Sequence, residues 1–380
     1  METTFRPGLE NVVVAETDLS LVDGDGGRLV VRGHSIETLA TRRFEDVCGL
    51  LWDGTLPAPP RAEAIRRGLA AGRSEAHRGI GPAVREAGDA MEALRAGLAA
   101  LRAGDEPPDA IRFRLTGAVG VLLAAWHRSR QGLAPVEPDA ERHHADDLLR
   151  LLSGEPAPVA RVRGLDSYLV TVAEHGMNAS TFTARVVAST RSDEVSAVVA
   201  ALGSLKGPLH GGAPGPVLDM LDAIRRPEAA KAWLESELTA GRRIMGLGHR
   251  VYRVRDPRAL VLETALAELE RVGVASRYLT LARAVERAAV EVLDAHRPDR
   301  RLRTNVEFYT AVLLDALAIP RSLFSAVFAA ARVAGWLAHV AEERAANRLI
   351  RPRQRYVGPL PTGFDDPPAG FDGPPLRAVG

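Results

Sequence analysis

The chain is poor in cysteine and carries no excess of charge of either sign. Cys48 is its only cysteine, which excludes an internal disulfide and any zinc site built from several thiolates. Lys and Arg total 49 and Asp and Glu total 48, so the net charge of +1 indicates neither a nucleic-acid surface nor a polybasic membrane face. The N-terminal sequence METTFRPGLENVVVAETD carries acidic residues early and lacks an apolar signal core. We therefore expect a soluble, cytoplasmic protein that binds neither nucleic acid nor a membrane.

Long uninterrupted hydrophobic runs are also missing. The apolar run at residues 118–126 is too short to span a membrane. Residues 322–340 are almost long enough, but Arg332 and His339 interrupt them, which favours a buried helix in a large helical core. No segment repeats with a period of 20–50 residues, which argues against a solenoid.

The pattern that is present is mainly helical. The 380 residues, 46% of them hydrophobic, suffice for a large core and roughly two domains. Residues 12–14 and 29–31, on either side of the turn sequence DGDGG, predict a small N-terminal β-hairpin. Beyond residue 35 the apolar residues recur at helical spacing, which predicts a mainly α fold. The predicted helices are 36–40 (capped by Ser35), 44–52, 61–73, 91–103, 110–128, 139–152, 167–174, 181–189, 194–205, 217–224, 229–240, 259–272, 276–297, 306–317 and 322–344. The tail from residue 361 is rich in Pro, Gly and Asp, and we expect it to be mobile or draped over a surface.

His210 lies in the turn sequence KGPLHGG, ahead of a helix that Pro216 is predicted to open. The helix macrodipole disfavours a charged histidine at such a place, so a neutral imidazole that donates a hydrogen bond fits it. A turn histidine without a role is the alternative.

His249 follows Gly246-Leu247-Gly248 and precedes several arginines, and Asp256-Pro257-Arg258 is predicted to start the next helix as N-cap, N1 and N2. A glycine turn beside arginines can cradle an anion. The alternative is a solvated basic face, which we favour for Arg250 and Arg255.

Four further residues stand out. Glu307 lies in Thr-Asn-Val-Glu, which also fits a capping box with Thr304 as the N-cap. Arg332 lies where its surroundings favour burial, so it requires a carboxylate or an anionic ligand as partner. His339 shares its helix face and is predicted to be a hydrogen-bonded core histidine. His175 follows an apolar helix and precedes Gly176, a junction from which it can point into a cleft.

Together these segments resemble the citrate synthase family over almost the whole chain. The matching motifs, in the family's order and approximate spacing, are VRGHSIETLA, FEDVCGLLWDGTLP, AEHGMNASTFTARVVAST, GPLHGGAP, GLGHRVYRVRDPRA, TNVEFY and ARVAGWLAHVAEER. Only residues 75–155 match loosely. The resemblance implies an almost wholly helical homodimer, in which residues 1–210 and 313–380 form a large domain and residues 211–312 a small one. The cleft between them would close on substrate. The length is similar to that of the shorter bacterial enzymes, without a regulatory N-terminal domain or an import segment.

Carried over position by position, the resemblance implies a role for most of the residues singled out above. His210 would donate a hydrogen bond to the thioester oxygen of acetyl-CoA, His249 would polarise the ketone of oxaloacetate, and Glu307 would remove the methyl proton. Oxaloacetate would be bound by His175, His249, Arg258 and Arg332 of one subunit, together with Arg351 of the partner subunit. Those that would bind CoA are Arg253 and, in the loop that receives the adenine, Met245, Gly246, Leu247 and Gly248. The resemblance implies no metal and no cofactor beyond the CoA thioester substrate.

The chain departs from the family at the base position, where most members have Asp in the sequence NVDF and this chain has Glu307 in NVEF. Glutamate is one methylene longer, and a misplacement of about 1 Å can cost on the order of a hundredfold in rate. Three interpretations are open. The backbone can retract so that Glu307 serves normally as the base, or the enzyme can be slow or prefer a bulkier acyl group such as propionyl-CoA, which would make it a 2-methylcitrate synthase. In the third, turnover is lost and the chain only binds its ligands. Retention of both histidines and the arginines argues against the last interpretation. A non-enzymatic helical scaffold, the contrasting class, predicts no closure on oxaloacetate.

Overall fold

The protein is almost entirely helical, as the sequence predicts. The computed structural model describes residues 5–102, 104, 106–211, 214–296 and 300–359. The strands are β1 (Ser20–Asp23), β2 (Arg28–Val31) and β3 (His34–Ser35). The helices are α1 (Ile36–Leu39), α2 (Phe44–Asp53), α3 (Pro59–Arg78), α4 (Pro82–Arg85), α5 (Ala90–Ala99), α6 (Pro108–Arg130), α7 (His144–Ser153), α8 (Val159–Val172), α9 (Ala179–Ser189), α10 (Glu194–Leu205), α11 (Pro214–Ile224), α12 (Ala230–Thr239), α13 (Pro257–Arg271), α14 (Leu279–His296), α15 (Val306–Ala316) and α16 (Phe324–Ala346).

The strands form an antiparallel meander in the order β1-β2-β3. The prediction that residues 12–14 form the first strand is wrong, because that segment has no regular structure and Val13 is 87% exposed. The true first strand adjoins the turn. Asp23 closes this turn by accepting hydrogen bonds from the Gly26 amide and the Arg28 guanidinium. In the resulting register Leu29 and Val31 face the core.

Helix α16 is the central helix of the core and packs against α6, α8, α9 and α10. The segment Arg321–Ala346 is long and apolar enough to span a membrane, but 94% of its most apolar window is buried inside the protein. This burial confirms the prediction of a core helix. Gly335 allows a close approach, since a Cβ there would lie 2.3 Å from the Ala173 carbonyl oxygen. This close approach packs α16 against the C-terminal end of α8, just before His175.

Most helix boundaries follow local capping residues. The side chains of Ser35, Asn178 and Asp256 each accept a hydrogen bond from a backbone amide in the first turn of the helix that follows. Pro257 opens α13 as predicted. The prediction for Pro216 is wrong, because α11 already begins at Pro214.

The predicted helix start at residue 139 is also wrong, because α7 begins at His144. The buried guanidinium of Arg73 donates hydrogen bonds to the carbonyls of Asp139 and Arg142, which keeps those carbonyls out of a helix. The four-residue helix α4, the short strand β3 and the first two turns of α8 escape the sequence prediction.

Several backbone and side-chain hydrogen bonds join the segment before α13 to the N-terminus of α15. Leu247 and Thr304 form an isolated antiparallel bridge, and the Asn305 side chain donates to the Gly248 carbonyl at 2.8 Å. The Asp256 carboxylate accepts from the Val306 amide. These contacts bring the turn that carries His249 next to the first turn of α15.

The predicted domains, residues 1–210, 211–312 and 313–380, stay a prediction. Residues 212–213 at the first boundary and the tail 361–380, including its predicted mobility, lie outside the described residues. At the second boundary α15 runs without interruption over Val306–Ala316.

Candidate active site

His175 lies in the tight turn between α8 and α9. Gly176 has a φ of 58°, which favours glycine, and its amide donates to the buried carboxylate of Glu174. The same carboxylate accepts from Ser20 and from His339. This confirms that His339 is a hydrogen-bonded core histidine. His175 is therefore held on a turn that β1 and α16 both support.

The His249 side chain is folded back onto its own loop. Its Nδ1 accepts hydrogen bonds from the amides of Val251 and Tyr252, at 3.0 and 3.1 Å. Because Nδ1 is an acceptor, the neutral ring carries its proton on Nε2 and can donate it to a ligand. Burial, and then the Arg258 charge, lower the pKa of His249 to about 4. The ring is therefore a neutral hydrogen-bond donor at physiological pH.

His175, His249 and Tyr252 form one aromatic cluster. The centroids of the two imidazole rings are 5.4 Å apart with the rings nearly perpendicular, and the His175 Nε2 lies 3.3 Å from the Tyr252 hydroxyl oxygen. Burial, together with the nearby Arg258, holds the pKa of His175 well below its ordinary value. Tyr252 was not predicted as a site residue, although it follows His249 by three positions in HRVYR.

Arg258 is 3% exposed and forms a two-pronged ion pair with the Asp256 carboxylate, with N–O distances of 3.0 and 2.7 Å. Although burial opposes its charge, Asp256 raises the pKa of Arg258. Asp256, predicted only as a helix cap, thus also orients a predicted substrate-binding arginine.

Glu307 lies in the first turn of α15. The predicted capping box is wrong, because Asn305 is the N-cap and its side chain accepts from the Glu307 amide at 3.0 Å. The carboxylate is therefore free of that capping role, and it makes no hydrogen bond to another described residue. Burial raises the pKa of Glu307 to about 7, against the charges of Arg258 and Arg332. A carboxyl group that titrates at this pH can accept a proton under physiological conditions.

Arg332 is 1% exposed and lies on α16 over the Phe328 ring, with its Cζ 4.7 Å from the ring centroid. Its Nε donates to the Val172 carbonyl at the end of α8. Among the described residues no carboxylate lies within 4.0 Å of this guanidinium. Burial lowers the pKa of Arg332 to about 10, so it stays charged. The partner that the sequence requires for this buried cation is thus not a described acidic side chain.

His210 contacts Ser180 at the start of α9, with 2.8 Å between its Nε2 and the serine hydroxyl oxygen. That hydroxyl also accepts from the Trp336 indole, and the Ser180 backbone amide donates to the same Nε2 at 3.4 Å, so Nε2 is an acceptor and Nδ1 carries the proton of the neutral ring. Burial, followed by the Arg332 charge, lowers the pKa of His210 to about 4. The ring is neutral, as predicted, and its Nδ1 makes no hydrogen bond in the described chain. Ser180 was not predicted, because a serine after an N-cap is common in helices.

The predicted CoA-binding loop borders a cavity of about 460 Å³. Gly246 and Gly248 have φ values of 74° and 85°, which glycine adopts most readily. Leu247 and Gly248 line the cavity together with His249, whereas Met245 and Gly246 do not. The other residues that line it include Arg242, Arg243, Ile244, Arg250 and His296.

Three arginines near or predicted near the site differ in their surroundings. Arg253 is exposed and does not line that cavity. Arg255 does not contribute to an anion cradle, because it is ion-paired with Glu263 and Glu286. Arg351 is exposed and makes no hydrogen bond or ion pair within the described chain. The structure therefore brings His175, His210, His249, Arg258, Arg332 and Glu307 together in one site. It does not bring Arg351 of the same chain to that site.

A larger cavity of about 670 Å³ lies between α1, α8 and α13. None of the predicted site residues lines it, and the titratable groups described above are absent from its walls. We therefore place the candidate site at the histidine cluster and not in this larger cavity.

Comparisons with known proteins identify the family that this chain resembles. The family described as "Citrate synthase, C-terminal domain" matches residues 8–353. Citrate synthase from Haloferax volcanii is 38% identical over 375 residues, covering 94% of this chain and 97% of the relative, and citrate synthase 2 from Bacillus subtilis is 37% identical over 369 residues, covering 94% and 96%.

Solved structures show the same likeness. The crystal structure of citrate synthase from Thermotoga maritima matches with a TM-score of 0.82 and 33% identity, covering 97% of this chain and 100% of that one. Citrate synthase from Thermoplasma acidophilum, solved as a ternary complex with carboxymethyl coenzyme A and oxaloacetate, matches with a TM-score of 0.84 and 26% identity, covering 94% and 97%.

Proposed function

The chain belongs to the citrate synthase family of enzymes, and we propose that it condenses acetyl-CoA with oxaloacetate and hydrolyses the resulting citryl-CoA to citrate and CoA. One observation carries this proposal. Glu307, with a pKa raised to about 7, lies in a site that also holds two neutral histidines and two buried arginines. This set provides a base, two hydrogen-bond donors and a binding site for a dicarboxylate.

In the first step Glu307 removes a proton from the methyl group of acetyl-CoA. A carbon acid of this kind is too weak for a carboxylate unless the developing oxyanion is stabilised. His210 supplies that stabilisation through a hydrogen bond to the thioester oxygen. A neutral imidazole suits this role because its N–H donates the hydrogen bond, and the low pKa of His210 keeps the ring uncharged.

In the second step the enol carbon attacks the ketone carbon of oxaloacetate. The Nε2 proton of His249 lies where it can be donated to the ketone oxygen, since Nδ1 is held by two backbone amides. Water then cleaves the thioester of citryl-CoA, which makes the overall reaction effectively irreversible.

Oxaloacetate would supply the anionic partner that no described acidic side chain provides to Arg332. Its carboxylates would pair with Arg332, which has no acidic partner among the described residues, and with Arg258, while His175 binds a further oxygen. We propose a homodimer in which Arg351 of the partner subunit completes this site. The exposure of this segment in one chain supports that arrangement.

The glycine turn and its cavity would receive CoA. We propose that the adenine lies against Met245, Gly246, Leu247 and Gly248, and that the exposed Arg253 pairs with a CoA phosphate. We further propose that the reaction needs no metal or prosthetic group and that the enzyme is cytoplasmic. The ternary complex of the Thermoplasma acidophilum relative, with a CoA analogue and oxaloacetate, supports this choice of ligands.

A second candidate is 2-methylcitrate synthesis from propionyl-CoA, which the longer base at position 307 favours. The two activities are separated by measuring CoA release with a thiol reagent, using oxaloacetate and either acyl-CoA. We expect a kcat/KM several times higher with acetyl-CoA, whereas a higher value with propionyl-CoA would assign methylcitrate formation. Absence of release with both, in a folded protein that binds oxaloacetate, would refute the proposed function.

A further inference from the structure

Tyr168 carries a buried hydroxyl that has no hydrogen-bond partner among the residues that the structure describes. The residue lies in α8 and is 0% exposed, and its hydroxyl oxygen meets no donor or acceptor within the described chain. Buried polar groups are nearly always paired, because an unpaired one lowers stability. Such exceptions in native proteins concentrate at functional sites.

The position of Tyr168 on α8 places it beside the candidate site. Arg332 donates to the carbonyl of Val172, one helical turn after Tyr168, so the guanidinium lies against the same stretch of α8. Burial raises the pKa of Tyr168, the charge of Glu307 raises it further, and that of Arg332 opposes the rise. Helix α8 packs against both α15 and α16, which carry Glu307 and Arg332, so both charged groups lie on helices that contact the one carrying the phenol. The phenol stays protonated and can only be a neutral donor or acceptor.

Glu307 is the complementary group. Its amide is bound by Asn305, but its carboxylate makes no hydrogen bond to a described residue. The Tyr168 hydroxyl, a donor without an acceptor among the described residues, therefore lies near the Glu307 carboxylate, an acceptor without a donor among them. Compared with aspartate, Glu307 also has one more rotatable bond, so its carboxylate needs an additional contact to be held in one position.

We propose that Tyr168 is a positioning residue for Glu307, and that its hydroxyl donates a hydrogen bond to the Glu307 carboxylate when the site closes on its substrates. The bond fixes the longer side chain in the conformation from which it removes the methyl proton. The proton passes from the methyl carbon to the free carboxylate oxygen, and the electron pair of the C–H bond moves towards the thioester oxygen. Tyr168 keeps its own proton throughout. The inference rests on the proposed function.

The test is Tyr168→Phe, which removes one hydroxyl and keeps the ring. Tyr309→Phe is the matched control, because it removes a buried tyrosine hydroxyl from α15 that binds Glu286 at 2.6 Å and not Glu307. We expect kcat of the Tyr168 variant to fall by about ten- to a hundredfold, the range for one hydrogen bond to a charged group. The KM for oxaloacetate should stay within about twofold, and the melting temperature should not fall.

The pH profile separates positioning from mere packing. A hydrogen bond to the carboxylate in the substrate complex favours its charged form, so its loss should move the acidic limb of kcat up by about one pH unit. The control should keep the wild-type limb. An unchanged kcat and limb in Tyr168→Phe would overturn the inference, and so would a loss confined to the KM for oxaloacetate, which would assign the hydroxyl to substrate binding. An inactive wild-type enzyme would instead refute the proposed function.

Discussion

Replacing Glu307 by Gln should stabilise the folded protein at alkaline pH while it abolishes activity. The carboxyl group titrates at about 7 in the folded protein, whereas an ordinary glutamate titrates at 4.5. Above pH 7 the folded chain therefore holds a charge that its surroundings disfavour, and the unfolded chain holds the same charge in water. Gln has the same length and no charge, so it removes that cost.

The magnitude and the pH window follow from the pKa of Glu307. A rise from 4.5 to about 7 corresponds to roughly 3 kcal/mol. Because Glu307 is partly exposed, solvent reduces this value, and we expect a gain of about 1–3 kcal/mol. Between these pH values the folded state binds more protons than the unfolded state, so the contribution of this group to stability falls as the pH rises. The gain from Gln should be complete above pH 7 and absent below pH 4.5.

Urea unfolding of wild type and variant at about pH 8 and about pH 4 measures this difference. Glu235→Gln, at an exposed position of α12, is the control and should change stability little at either pH. The Glu307→Gln variant should release no CoA and still bind oxaloacetate in calorimetry. A loss of stability at pH 8, or a gain of the same size at both pH values, would refute the conclusion that the site disfavours the Glu307 charge.

Three further outcomes follow from the site. The kcat/KM of the wild type should rise with pH through an acidic limb near 7, because Glu307 must be ionised, and a profile that is flat from about pH 6 to about pH 8 would contradict this assignment. Asp256→Asn should cost about 3–5 kcal/mol in urea unfolding and raise the KM for oxaloacetate, because it leaves Arg258 buried without its partner. Gly24→Ala should lower kcat/KM by about tenfold or more, because its Cβ would lie 2.3 Å from a carbonyl oxygen of the loop after His249. Gly203→Ala, which meets no atom within 4 Å, is its control and should keep normal activity.

The sequence predicts those parts of the fold that local chemistry determines. Helix α10 has the predicted limits, and α13 begins with the predicted cap and proline, because an aspartate side chain and a proline ring act within their own turn. The first strand and the start of α7 could not be predicted in this way. The closure of a turn by Asp23 determines the first, and the buried guanidinium of Arg73, which is distant in sequence, determines the second.

The candidate site, too, could be predicted only where the local sequence carries a signal. Histidines in glycine turns stand out in any sequence, and the structure brings His175 and His249 together as predicted. Tyr252 and Tyr168 carry no comparable signal, because tyrosines in apolar surroundings are ordinary core residues. Only their placement around the charged groups distinguishes them. The Thr304 capping box is a sound local pattern, but the neighbouring Asn305 also bonds to the carbonyl of Gly248 and therefore caps the helix instead.

The surroundings of Glu307 also bear on the change from aspartate to glutamate. A site that had lost its reaction would gain stability by replacing a half-buried carboxyl group whose charge is disfavoured, or by giving it a fixed partner. This chain does neither, since the carboxylate has no hydrogen-bond partner among the described residues and titrates at about 7. A general base works best when its pKa lies near the working pH, because it is then largely ionised and still basic. The charge of Glu307 thus lowers the stability of the folded protein, but its pKa is the one that a general base needs. This favours a working base over one that has lost its function.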